Sequence, residues 1–114
     1  MDQYMNQTQT LYNSGARRFV FLNVPPIQLS PTVLAQGDAT VKAEAAGVKQ
    51  YNDALRSRVA TFATLNPTAK TYLVDTTAPF LKAIQEPQAY GADNATCFDA
   101  SGTKCLWWND VSLP

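Results

Sequence analysis

Residues 19–24 read Phe-Val-Phe-Leu-Asn-Val, and Pro25-Pro26 follows at once. Only Asn23 interrupts the apolar run. A short, continuous apolar stretch closed by residues that cannot extend it is the pattern of a strand covered on both faces, as in a parallel sheet. Such a strand cannot stand alone. It needs neighbours on both edges and helices above and below, so the run predicts an α/β fold. Ligand sites in sheets of this kind lie beyond the C-terminal ends of the strands, which directs attention to residues 23–27.

The rest of the chain supplies parts for that arrangement. Residues 2–13 carry Tyr4, Thr8, Leu11 and Tyr12 on one helical face, and Asn13-Ser14-Gly15 gives a stop with glycine placed for a left-handed cap. Residues 27–40 contain Pro31 and Gly37 and show no period, which predicts a long loop. A helix is expected over residues 41–65, where Val48, Tyr51, Leu55, Val59 and Phe62 form one apolar stripe. Asn66-Pro67 ends it, because the residue before proline disfavours the helical region. A second strand is expected at residues 71–75. A short helix follows it, with Phe80, Leu81 and Ile84 on its buried face and Pro87 at its close. Asp75, between that strand and that helix, has two readings: a group at a strand tip, or a cap for free helix amides, and capping is the one taken. Arg17 and Arg18 read as solvated charge.

Composition removes several classes of function. Nine basic and nine acidic residues cancel, and no basic block is present, so there is no footprint for nucleic acid or an anionic membrane surface. No apolar run approaches the roughly 18 residues of a membrane span. Pro25-Pro26 occupies the turn where a nucleotide site needs a glycine-rich loop. The chain has no histidine, which excludes a self-contained Ser-His-Asp or Cys-His set and removes the commonest metal ligand. Cys97 and Cys105 have neither CxxC nor zinc spacing. They are read either as a disulfide of a secreted protein or as two free thiols, and the disulfide is preferred. A bridge closing so short a loop stabilises by roughly 2–3 kcal/mol in the chain-entropy model. Asn6-Gln7-Thr8 and Asn94-Ala95-Thr96 are glycosylation sequons. They favour an extracellular location, whereas the polar first residues lack a signal peptide. That conflict leads to the expectation that the chain is part of a larger protein, as does a sheet of only two strands.

The segment Leu11-Tyr-Asn-Ser-Gly-Ala-Arg-Arg-Phe-Val-Phe-Leu-Asn-Val-Pro-Pro26 resembles the middle of SGNH (GDSL-type) hydrolases, in particular secreted fungal carbohydrate esterases that remove acetyl groups. Later stretches are similar in the same order: Tyr72-Leu-Val-Asp-Thr76 with the following strand, Glu86-Pro-Gln-Ala-Tyr-Gly91 with an "NP-x-x-YG" segment, and Cys97, Cys105 and Leu106-Trp-Trp108 with the cysteines and aromatics before the last catalytic block. The resemblance implies a flavodoxin-like three-layer α/β/α domain, of which residues 1–114 are the C-terminal part, with about two parallel strands and three helices. It implies hydrolysis of a small ester or an acetylated saccharide by a Ser-His-Asp mechanism that needs no cofactor and no metal.

Little of that machinery maps onto this chain. The serine, glycine and oxyanion-asparagine blocks of the family belong before its first residue. In the terminal Asp-x-x-His block, Asp110 is the counterpart of the triad acid, but Leu113 stands where histidine is expected. In the other register Asn109 pairs with Ser112. Ser14, Ser30, Ser57, Ser101 and Ser112 lack the nucleophile's context, and Asn23 is not the oxyanion asparagine. The expectation is a fragment of a secreted ester hydrolase, inactive alone. The alternative is a non-catalytic α/β module that packs against a partner chain.

Overall fold

The computed structural model describes residues 1–110. Its elements run α1 (Asp2–Asn13), β1 (Arg18–Leu22), a 3-10 turn (Ile27–Leu29), α2 (Pro31–Leu34), α3 (Asp38–Leu65), β2 (Lys70–Val74), α4 (Thr77–Gln85) and a second 3-10 turn (Pro87–Tyr90). β1 and β2 pair in parallel, with Val20 beside Tyr72 and Leu22 beside Val74. The connection between them is therefore the expected crossover, with α3 as its body.

α1 ends as its sequence predicts. The Gly15 N–H donates to Tyr12 C=O and the Ala16 N–H to Leu11 C=O, each at 3.0 Å. Gly15 has φ of +117°, which a side chain would strain. Asp2 in the first turn sits at the positive end of the helix and pairs with Arg58 of α3. The far end of α1 is tied to the end of α3 by two amides. Gln9 Nε2 donates to Asn66 Oδ1 and Asn66 Nδ2 donates to Gln9 Oε1, both at 3.0 Å. Asn66 is buried, and its amide also caps Phe62 C=O. A buried amide held on both ends costs little; one left unpaired costs about 1–3 kcal/mol.

α3 is 28 residues long, about 42 Å at 1.5 Å per residue, and it sets the long dimension of a molecule measuring 46 × 29 × 20 Å. It begins at Asp38, three residues before the predicted start. Asp38 favours that start because an acid stabilises the first turn. The predicted loop is also more ordered than its sequence suggests, since the 3-10 turn and α2 occupy much of it. Pro31 opens α2, where a missing N–H costs nothing.

Two apolar clusters hold the chain. Phe19 and Phe21 of β1 pack on Leu55, Val59 and Phe62 of α3. Phe62 meets Phe19 edge-on, with ring centroids 5.2 Å apart, and Tyr12 closes over it at 6.1 Å. These edge-to-face contacts add to the area they bury. The second cluster joins Ala92, Leu106 and Trp107 to Ala83 and Ile84 of α4. Trp107 is buried and donates its indole N–H to Ala95 C=O at 2.9 Å, whereas Trp108 is exposed. Cys97 and Cys105 form a disulfide with Cα atoms 5.3 Å apart, and the free-thiol reading falls away.

One expectation fails. β1 is not covered on both faces: its residues alternate exposed and buried, and Val20 and Leu22 are 65% and 60% exposed. α1 and α3 both lie on the Phe19–Phe21 side, and no described element covers the other. With two separate clusters and an open sheet, the radius of gyration is 17.0 Å, against about 13 Å for a compact domain of this length.

Candidate active-site region

The strand tips are joined by a network centred on Asn23. Its Nδ2 donates to Asp75 Oδ1 at 3.0 Å, and its Oδ1 accepts from Thr76 N–H at 2.7 Å. Its backbone N–H continues the strand ladder to Val74 C=O. The single polar residue in the apolar run thus ties the end of β1 to the turn that starts α4. Asp75 Oδ1 also accepts from Thr77 N–H at 2.9 Å, so it caps α4 as expected. The Asn23 amide, and then the Thr77 N–H, hold the Asp75 carboxyl below the usual carboxylate range.

Asn52 of α3 fixes the next residue. Its Oδ1 accepts from Val24 N–H at 2.8 Å and its Nδ2 donates to Val24 C=O at 2.9 Å. Sequence reasoning passed over Asn52. The available signal was a poor helix former set next to Tyr51 on the apolar stripe, where an amide has to earn its place through a bond.

Beyond these tips lies an open cleft of about 760 Å³. Asn23, Pro26 and Gln28 line one side, Asp75 and Thr77 another, and Asn52, Asp53 and Arg56 of α3 the third. This is where the strand pattern directs a ligand. Asp53 takes Lys49 at 2.5 Å and Arg56 at 3.5 Å, and the Lys49 bond holds its carboxyl below the usual range. The cleft therefore offers amides and balanced charge rather than a strong field of one sign.

The tail returns to the segment that leaves β1. Thr32 N–H, at the start of α2, donates to the backbone C=O of Asp110 at 3.1 Å. Asp110 is exposed. Close by in the chain, Ser30 is buried, and Gln28 Oε1, Ser30 Oγ and Thr32 Oγ1 have no partner among the described residues. Ser112 and Leu113, on which both registers of the terminal block depend, lie outside the described residues. Of the other serines, Ser14 Oγ bonds Thr10 C=O at the end of α1, and Ser101 bonds Asp99 and Thr103 in the disulfide loop. Ser101 has only the Asp99 carboxylate beside it, and the chain contains no imidazole to complete a Ser-His-Asp set at either serine.

Asn6 lies exposed on α1. Asn94 is exposed in the loop before Cys97, and its Oδ1 accepts from Thr96 N–H at 2.9 Å and Cys97 N–H at 2.8 Å. Among the described residues no group of three or more His, Cys, Asp or Glu side chains is placed to hold a metal ion. No described helix is long and apolar enough to cross a membrane.

A parallel βαβ unit with polar groups gathered at its strand tips is part of an α/β domain. Comparison with known proteins narrows the class. No family model matches the chain. It is 45% identical over 111 residues to an acetylesterase of Thermothelomyces thermophilus, an alignment that covers 96% of this chain and 37% of that protein. It is 32% identical over 98 residues to a GDSL esterase/lipase of Arabidopsis thaliana, covering 82% of this chain and 27% of that protein. The chain belongs to the SGNH (GDSL-type) hydrolase family, and spans little more than a third of the first relative and about a quarter of the second.

Proposed function

We propose that this chain supplies the C-terminal part of a secreted SGNH ester hydrolase that removes acetyl groups from small esters or acetylated saccharides. In this reading β1 and β2 are two adjacent strands of a flavodoxin-like three-layer α/β/α domain, and Asp110 is the triad acid. The nucleophilic serine and the oxyanion donors come from polypeptide outside this chain. The serine attacks the ester carbonyl, a histidine takes its proton and passes it to the leaving alcohol, and Asp110 orients that histidine. Donors aimed at the developing oxyanion carry much of the rate. Water then releases the acid.

The observation that carries this reading is the Thr32–Asp110 bond, taken with the ordered alignment to the acetylesterase. It ties the segment leaving the β1 tip to Asp110, the residue that the family resemblance makes the triad acid. The exposed Asn6 and Asn94 sequons and the Cys97–Cys105 bridge support secretion. With no histidine, the chain alone turns over no acetyl ester.

The test is a chimera in which this chain replaces the aligned segment of the Thermothelomyces thermophilus acetylesterase. As it stands the chimera releases acetate from an acetyl ester no faster than a boiled control. Leu113→His restores turnover and Ser112→His does not. If neither restores it in a folded chimera, Asp110 is not the triad acid.

The second reading, a non-catalytic module packed against a partner, is favoured by the open sheet face. It differs in predicting that no histidine substitution yields an esterase.

A further inference from the structure

The sequence sets two tryptophans side by side, and the structure separates them. Trp108 is exposed, whereas Trp107 is 1% exposed. Trp107 packs with Ala92 and Leu106 against Ala83 and Ile84 of α4. Its indole N–H donates to Ala95 C=O and its own C=O accepts from Asp99 N–H, both at 2.9 Å. Ala95 and Asp99 flank Cys97, so both bonds join Trp107 to one arm of the disulfide loop. The Cys97–Cys105 bridge, and a bond from Asp93 N–H to Lys104 C=O at 2.6 Å, tie the same arm to the residues that lead into Trp107.

A side chain locked by packing and hydrogen bonds sets the direction of the chain that follows it. Asp110 lies three residues beyond Trp107. Its C=O accepts from Thr32 N–H at 3.1 Å, so the terminal block is held from two sides. The seat of Trp107 is itself referred to the strand tips, because α4 starts directly after Asp75 and Thr76, which Asn23 binds. The main cluster needs none of this. Phe19, Phe21, Leu55, Val59 and Phe62 assemble with no residue of the disulfide loop. What the loop and Trp107 order is the approach to Asp110.

We propose that Trp107 is a positioning residue: seated on α4 and clamped by the Cys97–Cys105 loop, it fixes the backbone that presents Asp110 to Thr32. Its catalytic meaning rests on the reading of Asp110 as the triad acid, but the link itself does not. Burial alone would make Trp107 a filler of the second cluster. Its two bonds to one arm of the loop, one through the side chain and one through the backbone, single it out. With the bridge opened, the arms keep those bonds and the Asp93–Lys104 bond, each of small net worth in water, and the loop regains its freedom.

The test is amide hydrogen exchange on the whole chain, read by NMR. Trp107→Phe keeps an aromatic ring in the cluster and deletes the N–H. Cys97→Ala with Cys105→Ala opens the loop and keeps the indole. In both, the Thr32 amide exchanges at least about tenfold faster than in the parent, while the Val59 and Phe62 amides of α3 stay within about twofold. Trp108→Phe leaves all three unchanged. A Thr32 amide that is unprotected in the parent, that keeps its rate in either variant, or that responds equally to Trp108→Phe overturns the proposal. Acceleration that α3 shares in the cysteine variant overturns it too, because the loop would then be holding the whole chain. Where Trp107→Phe unfolds the chain, the cysteine variant, which leaves the core side chains in place, decides alone. In the acetylesterase chimera carrying Leu113→His, Trp107→Phe lowers kcat at least about tenfold with little change in KM. A folded chimera with lower thermal stability and an unchanged kcat overturns the positioning role. A chimera inactive with Leu113→His sinks the catalytic reading of Asp110 and leaves the exchange result to decide the Trp107 link.

Discussion

The side-chain amide of Asn52 closes a two-point ring with the backbone of Val24, accepting from its N–H at 2.8 Å and donating to its C=O at 2.9 Å. A single side chain thus serves the peptide unit at which β1 gives way to Pro25-Pro26. Neither proline can donate a hydrogen bond, so the strand end has no ladder of its own to continue. Asn52 anchors it to α3 and sets the wall of the cleft.

The first prediction follows from that ring. Asn52→Ala leaves a half-buried N–H and C=O without partners, and costs about 1–3 kcal/mol. Asn52→Asp keeps the acceptor and loses the donor, so it falls between alanine and the parent near neutral pH. Urea unfolding followed by far-ultraviolet circular dichroism reads both. Equal midpoints for alanine and parent would mean that the ring contributes nothing.

The second concerns pH. Asp75 is held below its ordinary value by the Asn23 amide and the Thr77 N–H. A carboxyl whose folded pKa is depressed stabilises the fold above its unfolded pKa, about 3.9, and loses that contribution as pH falls through the folded value. Asn23→Ala removes the larger cause. It should move the Asp75 titration upward, toward the ordinary carboxylate range, in a carbon-detected NMR titration. No movement would show that the Thr77 cap alone sets the value.

Phe62 is the point where α1, α3 and β1 meet, with Tyr12, Phe19 and Phe21 all in ring contact. Phe62→Ala is expected to cost about 3–5 kcal/mol, enough to unfold a small domain. Leu65, one turn on and 73% exposed, should tolerate alanine within about 0.5 kcal/mol. Thermal unfolding of the two variants side by side separates a cluster-specific loss from a general weakening of α3.

Much of this arrangement was legible because it is local. The stripe Leu55, Val59 and Phe62, the Gly15 stop, the strand at residue 19 and the break at Pro67 each follow from spacing or from the backbone limits of one residue. The cysteine pair was legible as a choice between two states, which the bridge decides. What escaped depends on long-range pairing. The Gln9–Asn66 and Asn52–Val24 bonds join residues 57 and 28 positions apart, and no period announces them. Two-sided burial of β1 was misread for a related reason. An apolar run reports what a strand requires, and Val20 and Leu22 are exposed because no described element covers their face. At the candidate site, Asn23 and Asp75 were placed at the strand tips from sequence, and Asp110 by family resemblance. The link between Asp110 and Thr32 was not visible.

That link carries the last prediction. Thr32 is the second residue of α2, directly after Pro31. An N–H in the first turn has no partner within the helix, and here it serves the Asp110 carbonyl instead. Thr32→Pro therefore deletes this bond in the first turn, where the helix itself needs no N–H, and also disfavours the helical conformation of Pro31 before it. In the acetylesterase chimera made active by Leu113→His, loss of this bond loosens the Asp110 block and leaves the cleft intact. Turnover should fall at least tenfold with little change in KM, because misplaced catalytic groups lose transition-state stabilisation rather than binding. Thr32→Ala keeps the N–H and removes only the hydroxyl, which has no partner among the described residues, so its turnover should stay within about threefold of the parent chimera. Equal activities for the proline and alanine variants would show that the Thr32–Asp110 bond plays no part in positioning Asp110, the proposed triad acid.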